Sequence, residues 1–344
     1  MRTGESMKTT TIKDVAKHAG VSITTASFAL NNVKGRVSDE LRQKVLASAE
    51  ELSYTPNAAA RNLRVKASNT IAVVYDESYL DEKNASTMQF VSGVIKHANK
   101  MGKDTLVKLV NTKSGLKQAG EDYKRLWASQ KVEGLILLMS QINEVLLESM
   151  TVQGINFVVI PPLKKLLGYN SVYIDNFSLM KRATEFIYER GYREIYYLTM
   201  KSQEPSDREK GYEAAMKDCG LSAKSLYYPD GHRGKDQISE LLKAPIQNRK
   251  NKMAIACWND VDAIQVMEVL LAEGIKIPEE VGVMGFDDIP ASAHTYPPLT
   301  TISQPFEQMA ERSVELIIEN YDLKTYEKQQ MIEVTGCIVD RKTI

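Results

Sequence analysis

From Ile71 onward, short apolar runs alternate with amphipathic stretches, and this alternation leaves few folds open to the chain. IAVVY, TLVKLV, LILLM, FVVI, VYI, IYYL, MAIAC and VGVMGF are each of strand length, while FVSGVIKHANKMG and DAIQVMEVLLAEG between them carry a helical period. Strands followed in turn by helices predict parallel sheets with helices on both faces. More than eight strands over about 270 residues is long for one domain, so two similar subdomains with a cleft between them are expected.

The first 70 residues read differently, as three short helices. Thr11 with Asp14 three residues on resembles a capping box, and Ile12, Val15, Ala16 and Ala19 then share one helical face. Gly20 ends that helix, because glycine takes the left-handed conformation that a tight turn needs. Ser22 is a good N-cap for a second helix with Ala26, Ala29 and Leu30 inward. Ser38 caps a third, with Asp39 and Glu40 in its first turn and Leu41, Val45, Ala49 and Leu52 on one face. Helix, glycine turn, helix at this spacing is a helix-turn-helix. The following NAAARNLRVKAS is Ala-rich and helix-prone yet too short to be stable alone in water, so it would be ordered only by what it touches. The fold class expected is α/β, with an all-α head and a hinge helix ahead of a two-subdomain body.

Charge separates the same two parts. Residues 1 to 70 hold 11 Lys and Arg against 6 Asp and Glu, a net of +5, whereas the remainder carries 33 against 38, a net of −5. A basic head on an acidic body points to an anionic partner for the head. The N-terminus lacks the apolar segment of a secretory signal, no run of eighteen apolar residues could span a bilayer, and Cys219, Cys257 and Cys337 lie far apart. A cytoplasmic protein without membrane, disulfide framework, metal or cofactor is the expectation, with translation starting at Met1 or at Met7. GxGxxG, a Walker loop, HExxH and GxSxG are missing, and His18, His97, His232 and His294 are scattered, so no nucleophile and base can be paired and no enzyme is expected.

One stretch resists a simple reading. GVSITTASFALNN, residues 20 to 32, would be the second, DNA-reading helix, yet it holds no Arg, Lys or Gln. Either it is buried and irrelevant to nucleic acid, or its contacts are of an unusual kind.

TIKDVAKHAGVSITTASFALN followed by VSDELRQKVLASAEELSYTPNAAARNLR resembles the DNA-binding head of LacI/GalR-type bacterial transcription regulators. That family pattern runs roughly TIxDVAxxAGVSxxTVSRxLN, then VSxxTRxRVxxAxxxLGYxPNxxARxL. The body agrees in order through NTIAVVY, VEGLILL, SVYIDN, ERGYREIYYL, REKGYEAAM, WNDVDAIQVM, VGVMGFDD and YPPLTTISQP, so the resemblance covers Thr11 to Arg341. It implies a periplasmic-binding-protein-like body and a homodimer bound to double-stranded operator DNA. It further implies a small, sugar-like effector in the cleft whose binding shifts operator affinity. The implied boundaries are an extension at 1–10, the helix-turn-helix at 11–56, hinge and linker at 57–69, and the effector-binding and dimerisation domain at 70–344. Within that domain an N-subdomain would take about 70–172 and 303–325, and a C-subdomain about 173–302 and 326–344.

By the same resemblance, the helix from Ser22 to Asn31 lies in the major groove. Ser22, Thr25, Ser27 and Asn31 match positions that mostly hold phosphates, and Ile23, Thr24 and Phe28 match those that read bases. At Phe28 the family most often has Arg, which pairs with guanine, whereas Ile and Phe can offer apolar contact to a thymine methyl. An operator half-site whose guanine contact is relaxed or replaced by A·T is expected, unless Phe28 packs inward. Leu63 matches the minor-groove wedge of the hinge, with Arg61 near phosphates and Asn57 at the hinge N-terminus.

For the effector, the strand-end rule of wound α/β sheets draws attention to Asp76, Asp175 with Asn176, Ser206 with Arg208 in the loop after IYYLT, Asn259 with Asp260, and Asp287 with Asp288. The resemblance selects Arg208, Asn259 and Asp287 as the best contacts and gives His232 a stacking role. Against this, Asp260 and Asp288 could cap helices, and Arg208 could be a surface charge. Sugars, sugar phosphates, purines, nucleosides and a protein corepressor all occur in such proteins. The alternative to a regulator is a cytoplasmic solute-binding protein without regulatory role.

Overall fold

Hydrophobic period and capping shape the elements of the chain. The computed structural model describes residues 10–31, 33, 35–55, 68–76, 85–110, 116–138, 144–161, 168–201, 205–228, 234–249, 252–323 and 329–344. Two compact units result, Met1–Ala67 and Ser68–Ile344.

In the first unit, α1 (Ile12–Ala19), α2 (Ile23–Leu30) and α3 (Asp39–Glu51) enclose Val15, Ala16, Ala19, Ala26, Ala29, Val45 and Ala49. The predicted caps are present. The Asp14 carboxylate accepts from the Thr11 N–H at 2.9 Å and from its hydroxyl at 2.7 Å, Gly20 has φ 66°, and Ser22 and Ser38 accept from Thr25 and Leu41 N–H groups. Such caps satisfy backbone donors that a short helix cannot satisfy itself. The hinge segment lies outside the described residues, and with it Asn57, Arg61 and Leu63.

The second unit holds two six-stranded sheets. The first subdomain runs β1 (Thr70–Asp76), α4 (Ala85–Lys100), β2 (Asp104–Val110), α5 (Leu116–Ala128), β3 (Gly134–Leu138), α6 (Glu144–Val152), β4 (Phe157–Ile160) and β5 (Ser171–Tyr173). The second runs α7 (Asn176–Glu189), β6 (Glu194–Met200), α8 (Asp207–Asp218), β7 (Lys224–Tyr228), α9 (Lys235–Gln247), β8 (Met253–Cys257), α10 (Asp260–Ala272), β9 (Val281–Asp287) and β10 (Thr300–Ser303). The chain then gives α11 (Phe306–Leu323), β11 (Met331–Glu333) and β12 (Cys337–Val339). Sheet order is β11-β5-β4-β3-β1-β2 in the first and β12-β10-β9-β8-β6-β7 in the second. All pairs are parallel except β10 with β12. Central strands such as β3, β8 and β9 are buried along their whole length, which is why they read as unbroken apolar runs.

Two expectations need correction. A C-subdomain resuming at residue 326 is not observed, because Met331–Glu333 pairs in parallel with Ser171–Tyr173 and the return follows only after Glu333. Apolar runs also did not reveal β7, β10, β11 or β12: β7, β11 and β12 are half-exposed edge strands, whereas β10 is buried but is built of Thr300, Thr301, Ile302 and Ser303, whose hydroxyls break the apolar run. The crossings between subdomains thus fall at 174–175, 304–305 and 334–336. The first and third adjoin, the Val334 N–H donating to the Tyr173 carbonyl at 2.9 Å.

Helix α4 packs on α11, where a Cβ at Gly93 would stand 2.8 Å from the Ala310 Cβ. That near approach fastens α11 to the first subdomain directly after the second crossing. Buried residues of both subdomains, among them Ile71, Phe90, Tyr212, Phe286 and Met309, merge in one hydrophobic cluster. Among the described residues no helix is long and apolar enough to cross a membrane.

Candidate functional site

In the head, the burial of α2 separates its two faces. Ala26 and Ala29 are buried, and Thr24 and Phe28, four residues apart, fall on the opposite side. Ile23, at the first helical position, is 40% exposed. Phe28 is half-buried but is not among the side chains packed on the head's core, so inward packing does not explain it. The hydroxyls of Ser22 and Thr25 share a hydrogen bond of 2.8 Å, and Asn31 Nδ2 donates to the Ser27 carbonyl at 2.8 Å and to its Oγ at 3.4 Å. These polar groups are thereby aligned along the helix, with the exposed Ile23 and the half-buried Phe28 adding apolar surface beside Thr24. Lys13, Lys17, Arg36 and Lys44 are exposed on the same small unit.

In the body, one arginine gathers the predicted cleft residues. Arg208 is 4% exposed and sits in the first turn of α8, not in the loop expected after β6, because Ser206 caps that helix by accepting from the Glu209 N–H. Its Nε donates to Asn176 Oδ1 at 2.7 Å, its Nη1 to the Trp258 carbonyl, and its guanidinium lies 3.5 Å from the centre of the Phe286 ring. Asp287 Oδ1 is 3.9 Å from Nη1. The starts of α7 and α8, the end of β8 and the end of β9 are thus tied at one cation. The surface-charge reading of Arg208 is excluded by its burial.

Asp287 is 6% exposed with φ 125°, and Asp288 follows with φ 59°, two consecutive non-glycine residues in the left-handed half of backbone space. Such conformations persist only where surroundings enforce them. Gln304 Nε2 donates to Asp287 Oδ1 at 2.5 Å from the second crossing, and the Ser86 side chain of α4 lies near enough to the Asp287 carboxyl to help stabilise its ionised form. Asp288 pairs with Arg341 at 2.6 Å. The β9 end is therefore joined to the other subdomain through Ser86.

Burial pushes the Asp287 carboxyl up to about 7, Asp260 adding to the rise while Arg208, Gln304 and Ser86 oppose it. The folded chain then keeps a proton between about pH 4 and 7 that the unfolded chain has lost, so this group's stabilising contribution is lost as pH rises through about 7. Urea denaturation of wild type and Asp287→Asn should show wild type losing stability relative to the variant between pH 5 and 7. Parallel curves would mean that Asp287 does not titrate there.

Other predicted contacts have structural work. Asp175 caps α7, its oxygens accepting from the Ser178 N–H at 3.0 Å and hydroxyl at 2.6 Å. Asn259 Oδ1 caps α10 by accepting from the Asp262 N–H at 2.8 Å. Asp260 caps nothing. It is fully buried and accepts from the Ile289 N–H at 2.9 Å and from the hydroxyls of Ser292 and Thr301, which holds the turn after β9. Asp76 ends β1, its side chain undescribed, and His232 lies outside the described residues. A groove of about 770 Å³ adjoins the cluster, lined by Met88, Gln89, Asp288, Pro290, Gln304 and Phe306 among others; of the described strand-end candidates Asp288 alone lines it, and Arg208, Asn259 and Asp287 do not. Ser86, Trp258, Phe286 and Gln304 were not foreseen. Phe286 reads in sequence as ordinary strand core, and the other three act through backbone or through pairing across the fold.

Comparison with known proteins bears on both regions. A family profile described as "Bacterial regulatory proteins, lacI family" matches residues 11–57, and one described as "Periplasmic binding protein-like domain" matches 184–344. The chain is 30% identical over 341 residues to the "HTH-type transcriptional repressor PurR" of Vibrio atlanticus, covering 97% of this chain and 98% of that one. It is 29% identical over 345 residues to the protein of the same name from Photobacterium profundum, with the same coverage. Among solved structures, the Lac repressor dimer bound to operator and the anti-inducer ONPF matches with a TM-score of 0.82 at 24% identity, covering 98% of this chain and 99% of that one. The transcriptional regulator CelR in complex with cellobiose matches at 0.67 and 24% identity, covering 97% and 100%.

Proposed function

Since this chain belongs to the LacI family of bacterial regulatory proteins, we propose that it is a repressor that binds a palindromic operator as a homodimer and releases or tightens its hold when a small effector enters the cleft at Arg208 and Asp287. The head supplies binding. Helix α2 enters the major groove with Ser22, Thr25, Ser27 and Asn31 toward phosphates, and Leu63 of each hinge wedges into the minor groove at the centre of the site. It carries out no chemistry on the ligand.

The observation that carries the effector reading is the buried Asp287 carboxylate, joined to Arg208 on one side and to Ser86 of the opposite subdomain on the other. An ionised carboxylate accepts hydrogen bonds from hydroxyl or N–H donors, which fits a polyhydroxylated, sugar-like ligand. A ligand that takes over the Asp287 oxygens competes with Ser86 and so changes how the two subdomains are held. Operator affinity then shifts by differential binding to two states.

Footprinting on the gene's own upstream region tests the reading. Protection of a palindrome that changes on adding one member of a sugar and nucleoside library is the expected result. Ligand binding without any protected site would favour a solute-binding protein without regulatory role.

A further inference from the structure

We infer that the α2 face reads thymine through its C5 methyl group rather than guanine through a hydrogen-bonding fork. This rests on the reading of α2 as the helix that enters the groove. The side chains of α2 directed away from the head's core are Thr24 and Phe28, with Ile23 beside them at the helix start, and no residue from 20 to 32 carries a guanidinium, an ammonium or a glutamine amide. Asn31, at the helix end, turns its amide N–H toward the Ser27 carbonyl and hydroxyl and matches a phosphate-holding position rather than a base-reading one. In the major groove thymine alone presents a methyl group, and apolar side chains recognise it by excluding water. The net +5 of residues 1 to 70 supplies the attraction to the backbone that apolar contacts cannot. Affinity then comes mostly from the head's charge and the phosphates, and discrimination from methyl groups.

The full-length protein and a randomised duplex library provide the test. The selected site is rebuilt with each thymidine replaced singly by deoxyuridine, which keeps every hydrogen-bonding group and removes only the methyl. A loss of about fourfold is expected per contacted methyl, the ratio that one buried methyl group accounts for. Phe28→Ala should erase that loss at one position of each half-site without changing affinity for unrelated DNA, and Phe28→Arg should move the selected base there to guanine. Deoxyuridine without effect at every position, or a selected guanine at the base opposite Phe28 in the wild type, overturns this inference alone. A library that yields no preferred sequence overturns it together with the regulatory reading.

Discussion

Arg208→Ala should abolish the response to effector while leaving operator binding intact, because the two functions reside in different units of the chain. Arg208 ties Asn176, the Trp258 carbonyl and Asp287 over the face of Phe286, all in the body. Removing it leaves a buried carboxylate without its cation, a change that costs roughly 3 to 5 kcal/mol. The cost is partly avoided by protonation. Arg208 is the strongest of the groups that hold the Asp287 proton affinity down, so its loss leaves the carboxyl neutral at pH 7 and less able to accept from a ligand hydroxyl. Effector affinity should fall by more than about 100-fold, the equivalent of roughly 3 kcal/mol, as read by titration calorimetry, with operator affinity in the absence of effector unchanged. Arg208→Lys keeps the charge but loses the fork and the flat stack, and should lie between the two. An Arg208→Ala protein that still responds would remove Arg208 and Asp287 from the effector site.

Gly285→Ala should destabilise the body by about 3 kcal/mol although it adds a single methyl group. A Cβ at Gly285 would stand 2.1 Å from Asp260 Oδ1 and 3.0 Å from Leu299 Cδ2. Asp260 has little room to retreat, being fully buried with Ile289, Ser292 and Thr301 as donors. Moving it would release the turn that follows Asp287 and Asp288. Asp260→Ala removes the obstructing atom at the cost of those hydrogen bonds, so the double variant should be more stable than the sum of the two single losses allows. Strict additivity in urea denaturation would show that the methyl and the carboxylate do not meet.

Much of the fold was legible because its signals are local. Thr11 with Asp14, Gly20, Ser22 and Ser38 mark helix ends through groups three or four residues away, and the buried strands announce themselves as apolar runs. Lys224–Tyr228 was hidden because this half-exposed edge strand has no apolar run to show, and Thr300–Ser303 because its buried residues are mostly hydroxyl-bearing. The site was legible in part. Position at a strand end drew attention to Asp175, Asn259 and Asp287 alike, yet only hydrogen bonding separates them, the first two closing helix ends and the third joining Arg208, Gln304 and Ser86.

The sequence by itself determined the helix-turn-helix, the wound α/β body, the family and the lack of Arg, Lys and Gln on α2, since each depends on residue types at short spacings. Only the tertiary structure decided that Arg208 is buried rather than a surface charge, that Asp260 braces a turn, and that Ser86 touches Asp287 across the subdomains. Those facts depend on pairs separated by 32, 41 and about 200 residues. No local pattern encodes such pairs, because what brings them together is the packing of two sheets joined by three crossings.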